Sequence, residues 1–401
     1  MWSIASTLLY PLMFVLVISV VIVIHELGHY WAGRYFGAAV ESFSMGFGGS
    51  IFEVKDKNNT RWRLNWLPLG GFVNFVGEGG VIENEGHPHD TDEAVLRDER
   101  KTDAPIGRPF MDLSAGARNV VALAGPFANF ILAIVVFAGL AMFLGNSVEE
   151  VKVAGITENS PAAASDLQID DIFLTVNGRQ ADHRSVILEE IKLSAGTPVD
   201  LQMRRGEDVV DLTITPRRET RKNVLGIKER TGMIGVEMRA MPIDRQKLGP
   251  IRAVGHGVEE TFGTISTSIE MLGRILTGKE SLQQLSGPVG IANVAGGMAK
   301  STLEVEGVSL QTRLTALLIQ SINLIAFISV AVGFFNLIPL PILDGGVVVL
   351  NTYEAVTGKG LPEEIVLKTK FATVILLAVL AIFITVGDIE ESGLLELFGG
   401  L

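Results

Sequence analysis

Long apolar runs stand out in the pattern of hydrophobic and polar positions along the chain. They occupy residues 8–24, 120–144, 314–335 and 371–386. Each run has about the 17–25 residues that a helix needs to cross a bilayer. Because a backbone in lipid must satisfy its polar groups within the segment, the pattern predicts four transmembrane helices.

Shorter strand-like patterns lie between these runs. The sequences FSMGFGGSIFEV and TRWRLNWLPLGGFVNFV flank the turn KDKNN within residues 40–76, which predicts a β-hairpin. Residues 151–217 read as short strands around one helical stretch, and a further strand-like stretch follows at 224–240. Residues 251–277 have an amphipathic pattern, so we expect them on a membrane surface. The acidic loop 78–103 is expected to be flexible.

These patterns predict an α-helical polytopic membrane protein with four transmembrane helices, a membrane-associated β-hairpin and an inserted extracytoplasmic α+β domain. Its expected order is a first span at 1–30, the hairpin and acidic loop at 31–118, a second span at 119–146, the inserted domain at 147–250, a membrane-surface segment at 251–313, a third span at 314–346, a cytoplasmic loop at 347–370 and a fourth span with a tail at 371–401.

Composition narrows the class of protein. Hydrophobic residues make up 48% of the 401-residue chain, which fits a membrane protein. The chain has no cysteine, which excludes disulfides, thiol catalysis and zinc sites built on cysteine. Its formal net charge of −12 argues against a nucleic-acid partner. No lysine or arginine precedes the first apolar run, so we expect a retained span rather than a cleaved signal peptide.

The distribution of lysine and arginine predicts the orientation in the membrane. Residues 1–7 and 387–401 contain none, residues 30–118 contain ten and residues 345–370 contain three. Positively charged loops stay in the cytoplasm, so both termini are expected on the outer side. The segment 146–313, which includes the inserted domain, is then extracytoplasmic.

The sequence HELGH at the end of the first run carries the candidate chemistry. On a helix, His25 and His29 lie one turn apart on the same face and can bind one metal ion together. Glu26 lies about 100° around the helix, within reach of a water molecule at that ion. This is the H-E-x-x-H arrangement, with two zinc ligands and a general base for peptide hydrolysis. The alternative is that these residues only cap a span at the cytoplasmic interface.

A catalytic zinc ion needs a third protein ligand and one open position. The remaining histidines fit poorly, because they lie in a solvated loop or on the far side of the membrane. They are His87, His89, His183 and His256. Asp344 fits better, since it is the only acid in the third span and its immediate exit. The first and third spans both run from outside to inside, so Asp344 is expected at the depth of His25 and His29.

Two prolines, Pro339 and Pro341, interrupt the end of the third span. They remove backbone donors and break a helix, and irregular backbone at membrane depth is tolerated where it lines a polar cavity. Asn336 in front of them is then free to donate its amide to a substrate carbonyl or to a tetrahedral oxyanion. The alternative for Asn336 is a hydrogen bond between helices.

With HELGH at 25–29 and NLIPLPILDGG at 336–346, the chain resembles the site-2 protease family of intramembrane zinc metalloproteases. The stretches FSMGFG, LPLGGFVNFVGE, AGPFANF and SGPVGIA are similar to its bacterial RseP-type branch. The resemblance implies a Zn²⁺ cofactor and assigns a role to each matching residue. The implied zinc ligands are His25, His29 and Asp344, the implied base is Glu26, and the implied substrate-binding residues are Asn336, Asn129, Gly70 and Gly71.

The resemblance also implies roles for the hairpin and the inserted domain. The hairpin is expected to dip into the membrane and pair with an unwound substrate by β-addition, whereas the alternative is an ordinary sheet. SPAAASDLQIDDIFLTVNG resembles a PDZ signature, although Asp166 and Asp170 stand where glycine is usual. Aspartate tolerates turn conformations, so we expect the fold to survive. The domain is expected to gate access for trimmed substrates, or else to be a passive spacer.

The resemblance therefore implies a zinc metalloendopeptidase of the bacterial inner membrane, and the charge pattern predicts periplasmic termini and an active site near the cytoplasmic face. Its expected partners are the lipid bilayer and single-span membrane proteins already cut by another protease. Anti-sigma factors and signal-peptide remnants are the implied substrate classes. Two alternatives are a non-catalytic metal-binding scaffold, which has no use for Glu26, and a cation transporter, for which no inverted repeat is found.

Overall fold

The computed structural model describes residues 2–77, 104–181, 183–222, 228–278, 282, 287–305 and 307–391. The expected acidic loop with His87 and His89, and the C-terminal residues 392–401, lie outside the described residues. The chain forms two compact units. The first contains Met1–Val136, Val258–Ile265 and Val294–Phe383, and the second contains Phe137–Gly257, Ser266–Asn293 and Ile384–Leu401.

Among the residues that the structure describes, four long apolar helices confirm the predicted number of spans. They are α1 (Trp2–Tyr35), α2 (Ala115–Phe143), α6 (Leu310–Asn336) and α8 (Glu363–Glu391), and each has a stretch long and apolar enough to cross a membrane. α1 continues past the first apolar run and through HELGH, and the chain leaves it just before Gly37, which has a φ of 80°. The motif therefore lies inside α1, whereas the apolar pattern predicts that the helix ends at the motif.

The other α-helices in the described part of the chain lie in the connections. They are α3 (Arg184–Leu193), α4 (Pro250–Leu276), α5 (Pro288–Leu303) and α7 (Asp344–Thr357). α7 overlaps the end of the range predicted for the third span and the start of the range predicted for a cytoplasmic loop. The third span itself ends at Asn336, because the following segment contains Pro339 and Pro341, which interrupt helical hydrogen bonding.

The predicted hairpin consists of β1 (Val40–Lys55) and β2 (Arg61–Phe75). Both strands bend, so that each contributes two segments to the sheet. Pairing runs across four segments in the order β1b (50–55), β2a (61–65), β1a (40–45) and β2b (71–75). Glycines with positive φ stand at the bends, where other residues would be strained. They are Gly46 and Gly48 in β1 and Gly70 in β2. The edges of the sheet are therefore β1b and β2b.

The second half of β2 lies along α1. Ser19 donates its hydroxyl to the carbonyl of Pro68 at 3.2 Å, and the ring of Phe75 fills the space that a side chain at Gly33 would need. Ser19 and Gly33 are about 21 Å apart at the helical rise of 1.5 Å per residue. Pro68 and Phe75 are about 23 Å apart at 3.3 Å per residue in a strand. The strand therefore accompanies the apolar stretch Tyr10–Tyr35 over much of its length.

An apolar cluster joins the hairpin to α1 and α2. Its buried members are Tyr30, Ala38, Val40, Phe43, Phe75, Phe110, Leu113, Ala117 and Val121. Phe43 stacks on Trp62 with ring centroids 4.5 Å apart, and Phe75 stacks on Phe110 at 4.8 Å. The cluster holds β1a and β2b against the turn of α1 that follows HELGH.

The second unit contains the inserted domain. Its sheet has the strand order β10–β3–β4–β6–β7, with β5 beside β4. These strands are β3 (Asn146–Ile156), β4 (Ile172–Val176), β5 (Arg179–Gln180), β6 (Val199–Arg205), β7 (Asp208–Ile214) and β10 (Val236–Gln246). Ile187 and Ile191 of α3 pack into the core with Phe173, Leu201 and Met203. A separate hairpin pairs β8 (Arg217–Lys222) with β9 (Lys228–Met233).

Asp170 occupies the turn where a PDZ signature has glycine, and it adopts a φ of 72°. This is the left-handed region, which aspartate tolerates better than most residues. The neighbouring Asp171 is buried and accepts two hydrogen bonds of 2.8 Å from the guanidinium of Arg205. Burial by itself raises the pKa of Asp171, but the hydrogen bonds from Arg205 and the backbone N–H of Gln168 outweigh it and hold the pKa below its ordinary value.

Candidate active site

The two histidines of HELGH meet on one face of α1, as their spacing predicts. Nε2 of His25 and Nε2 of His29 are 3.2 Å apart, and the rings meet edge to face with centroids 4.8 Å apart. Both residues are largely buried. The helix therefore presents two nitrogen donors at one point.

Asp344 adds two carboxylate oxygens at the same point. Oδ2 lies 3.2 Å from Nε2 of His25, and Oδ1 lies 3.5 Å from Nε2 of His29. Ligand atoms at zinc bond lengths of 2.0–2.1 Å and tetrahedral angles are about 3.3 Å apart. Asp344 Oδ2 is buried with no hydrogen-bond partner, as expected of an oxygen that faces a metal. The three residues therefore fit a zinc ion.

The loop after α6 explains why Asp344 can reach the histidines. Asp344 is the first residue of α7, and the glycine pair after it packs directly on the preceding loop. A side chain at Gly345 would collide with the carbonyl of Leu337, and one at Gly346 with the carbonyl of Leu340. The sequence LDGG thus lets a new helix start against the proline-containing loop. Asp344 therefore reaches the site from the N-terminus of α7.

The other end of α7 is tied to α2. Arg118 is buried and donates a hydrogen bond of 2.7 Å to the carboxylate of Glu354. Beside it, the amide of Asn119 donates to the hydroxyl of Thr352 at 3.0 Å. These contacts fix the C-terminal end of α7, and the packing of Gly345 and Gly346 on the loop fixes its start.

α2 supplies the contacts that orient the two imidazoles. Nδ1 of His29 lies 2.8 Å from the carbonyl oxygen of Val121, so Nδ1–H donates and Nε2 keeps its lone pair. Nδ1 of His25 lies 3.3 Å from the side-chain amide of Asn129, which is fully buried. The hydroxyl of Ser329 on α6 donates to the backbone carbonyl of Asn129 at 2.9 Å and fixes this part of α2.

Two glycines allow α1 and α2 to approach each other at the histidines. A side chain at Gly28 would collide with the carbonyl of Ala124. A side chain at Gly125 would collide with the imidazole ring of His29, and its Cβ would lie 2.9 Å from Cε1 of His25. The rings therefore lie against bare backbone of the AGPFANF stretch.

Glu26 faces the edge segment β2b rather than α2. The backbone N–H of Val73 hydrogen-bonds to its carboxylate. A Cβ at Gly71 would lie 3.3 Å from Cγ of Glu26 and 3.0 Å from the carbonyl oxygen of Ser44. Gly71 therefore lets the edge strand lie directly against the carboxylate, and Gly70 with its φ of 127° turns the chain into that strand.

Asn336 is the last residue of α6 and is half-buried. Its side chain makes no hydrogen bond to any other described residue, so the alternative of a bond between helices finds no support in this part of the chain. Within the described residues, one group of side chains can hold a metal ion, and it consists of His25, His29 and Asp344. His183 and His256 are not part of that group.

Comparison with known proteins identifies the family. The sequence model of peptidase family M50 matches residues 13–380. The chain belongs to peptidase family M50. It is 34% identical over 398 residues to "Metalloprotease MmpA" of Caulobacter vibrioides, across 98% of both chains. It is also 34% identical to "Putative zinc metalloprotease mll0638" of Mesorhizobium japonicum, across 88% of this chain and 90% of that relative.

Among solved structures, the PDZ domain of the SdrC-like protein from Listeria monocytogenes matches 23% of this chain and 90% of that chain. The identity is 17% and the TM-score is 0.19.

Membership of family M50 confirms the resemblance to the site-2 proteases. The protein is a zinc-dependent metalloprotease, and its four long apolar helices make it a multi-pass membrane protein. A non-catalytic scaffold and a cation transporter are both disfavoured by this result.

Three residues that contribute to the site were not predicted from the sequence. Val121 acts through its backbone carbonyl, which leaves no trace in the side-chain pattern. Gly125 acts by lacking a side chain, although its stretch AGPFANF was conspicuous. Val73 contributes a backbone N–H from the strand edge. Only the bend glycines around LPLGG offered a signal that backbone approaches closely there.

Proposed function

We propose that the protein cleaves single-span membrane proteins within the bilayer, with His25, His29 and Asp344 as zinc ligands and Glu26 as general base. The observation that carries the proposal is the convergence of donor atoms 3.2–3.5 Å apart, two from the helix that also bears Glu26 and the others from Asp344 on α7. Zinc bound there supplies a Lewis acid that polarises a peptide carbonyl and lowers the pKa of water. The location of His25 and His29 on an apolar helix supports cleavage at membrane depth.

In this proposal, Glu26 transfers protons and does not bind the metal. It follows His25 directly, so its carboxylate is placed beside the ligand set rather than within it. Its task is to accept the proton of the attacking water and to deliver a proton to the leaving amine. The N–H of Val73 holds one side of the carboxylate and leaves the other side for the water.

The edge segment β2b is the proposed substrate cradle. A transmembrane helix hides its carbonyls in its own hydrogen bonds, so a protease must unwind it before cleavage. β2b ends the sheet on the side of Glu26, and an unwound substrate segment added to that edge would satisfy its backbone groups. Gly70 and Gly71 add no side chains of their own to this edge. Asn336, whose amide has no described partner, donates to the substrate carbonyl.

The cellular setting follows from the charge pattern. We propose the bacterial inner membrane, periplasmic termini, and an active site near the cytoplasmic face. The inserted domain would then act in the periplasm as a gate that admits substrates already shortened by another protease. Such a gate excludes folded outer domains by size, in accord with anti-sigma factors and signal-peptide remnants as substrates.

Substitution of the base tests the proposed function. Glu26→Gln removes the proton acceptor and keeps the shape, so the variant should bind zinc as the wild type does. Cleavage of a single-span test substrate in lipid nanodiscs should fall by at least about 100-fold, the lower end of what a general base contributes. Glu53→Gln, which alters an exposed hairpin carboxylate paired with Arg63, is the matched control. Undiminished cleavage by Glu26→Gln would contradict the proposal.

A further inference from the structure

Asp56, in the hairpin turn, accepts more hydrogen bonds than any other carboxylate outside the metal site in the described part of the first unit. Its Oδ1 accepts the backbone N–H groups of Asn58 at 2.8 Å and Thr60 at 3.0 Å. Its Oδ2 accepts the hydroxyl of Tyr30 at 3.1 Å and the indole N–H of Trp62 at 3.2 Å. One side chain thus joins the turn, the sheet and α1.

The partner on α1 is the residue directly after His29. Tyr30 is buried, and its ring meets those of Trp62 and Phe43 edge to face with centroids 5.1 and 6.0 Å apart. Burial by itself raises the pKa of Asp56, but the hydrogen bonds from Trp62, Asn58, Thr60 and Tyr30 outweigh it and hold the pKa below its ordinary value. The carboxylate is therefore ionised at neutral pH, and its hydrogen bonds are of the stronger, charge-assisted kind.

The sheet register connects this carboxylate to the active site. Trp62 of β2a pairs with Phe43 of β1a, and Phe43 pairs on its other side with Val73 of β2b. The three residues form one row across the sheet. At one end of the row, Trp62 donates to Asp56, and at the other end, Val73 donates its N–H to Glu26. Both ends of the row are therefore fixed to α1, through Tyr30 and through Glu26.

Polar contacts set the height of the sheet on α1 more strictly than apolar packing does. Besides the hydrogen bond from Ser19 to the carbonyl of Pro68, they include the hydrogen bond from Tyr30 to Asp56. The pairing of β1a with β2b is continuous from Ser42–Asn74 to Met45–Gly71, so a displacement of the row moves Val73 with it. Apolar contacts between elements in lipid discriminate weakly, since lipid tails are as apolar as the side chains they replace. A shift of the sheet by two residues would keep every side chain on its face yet bring another backbone N–H to Glu26.

We propose that Asp56 is a positioning residue that sets which bond of an added substrate strand faces the catalytic base. It acts by fixing the row Trp62–Phe43–Val73 against Tyr30 of α1. The proposal rests on the proposed function, because it assigns to β2b the strand that receives the substrate. It adds a determinant of cleavage position that lies outside the metal site.

Two mild variants test the proposal in the full-length protein in nanodiscs. Tyr30→Phe keeps the ring packing and removes one hydrogen bond. Asp56→Asn keeps the shape, and its amide accepts from the turn but no longer from both Tyr30 and Trp62. Glu53→Gln is the matched control on the same hairpin. The measurements are zinc content, thermal unfolding, kcat and KM for a single-span test substrate, and the cleaved bond by mass spectrometry.

Both variants should keep zinc, and kcat/KM per bound zinc should fall by about tenfold or more, the factor for one lost hydrogen bond to a charged group. New cleavage should appear two residues from the main bond. The double variant should lose little beyond the single ones, because both changes break the same contact. Glu53→Gln should cleave the wild-type bond at the wild-type rate.

A role in folding alone gives a different pattern. Loss of activity that only follows loss of the folded, zinc-loaded fraction, with a single unchanged cleaved bond, would overturn the proposal. So would wild-type kcat/KM and an unchanged bond in both variants. If Glu26→Gln also cleaves normally, the proposed function fails first. If Glu26→Gln is inactive while the Asp56 and Tyr30 variants are normal, only the positioning role fails.

Discussion

Asn129, for which the family resemblance implies substrate binding, lies beside the imidazole of His25 in the structure. A residue that binds substrate should be accessible, but Asn129 is fully buried and its amide faces Nδ1 of His25 at 3.3 Å. A metal at Nε2 leaves the ring proton on Nδ1, so the amide must present its oxygen. A half turn about χ2 exchanges the amide oxygen and nitrogen, and it gives the otherwise unpartnered Oδ1 its donor. This geometry favours a role for Asn129 in orienting His25, the proposed zinc ligand.

We predict that Asn129→Leu weakens zinc binding by about 10–100-fold, the usual effect of losing a partner of a metal-bound histidine. Asn129→Asp keeps an acceptor for Nδ1–H and should retain most of the affinity. Competition with a chelator of known affinity measures both. Should Asn129 bind substrate instead, both variants would bind zinc normally and only KM would rise.

The residues of the candidate metal site could be grouped from the sequence, while the residues that orient them could not. His25 and His29 follow from helical spacing, and Asp344 follows from the charge count, which brings two span ends to one depth. Val121 and Gly125 act through a carbonyl and through a missing side chain. Neither property belongs to a side-chain pattern, so only the packed structure reveals them.

At the scale of elements, the approach of α2 to α1 decides whether the imidazoles keep their positions. Gly125→Ala places a methyl group against the ring of His29, which cannot move away without leaving the carbonyl of Val121. We predict that zinc affinity falls by about 10–100-fold, as for other losses of ligand orientation. Chelator competition and cleavage per folded protein are the measurements.

Gly139→Ala is the matched control for that prediction, since it lies on the same helix and its Cβ would meet nothing within 4 Å. Alanine is favoured over glycine inside a helix by about 1 kcal/mol, so this variant should bind zinc and cleave as the wild type does. Equal zinc affinity in both variants would show that the close approach at Gly125 has no bearing on the site.

Helices and strands that depend on local sequence could be predicted, whereas those that depend on contacts between distant segments could not. Four helices could be predicted because long apolar runs are a local property with one solution in lipid. The hairpin could be predicted from its turn, but its double use could not, because β1a meets β2a only after both strands bend. The start of α7 could not be predicted from the sequence for a related reason. Its start depends on Gly345 and Gly346 packing against carbonyls of a loop, which no periodicity records.

At the scale of the whole molecule, orientation in the membrane is the prediction on which the cellular role depends. The positive-inside rule places the connection between α7 and α8 in the cytoplasm and the inserted domain outside. The chain has no cysteine, so single cysteines can report sidedness without removal of native ones. Lys359 lies in that connection and Glu207 lies in the turn between β6 and β7, and both are exposed.

We predict that a bilayer-impermeant maleimide labels Glu207→Cys in cells whose outer membrane alone is permeable, and leaves Lys359→Cys unlabelled. Both variants should be labelled once the inner membrane is opened, and the wild type should never be labelled. The reverse pattern would place the inserted domain in the cytoplasm. A gate for periplasmically trimmed substrates would then be impossible, although the zinc site and its base would be unaffected.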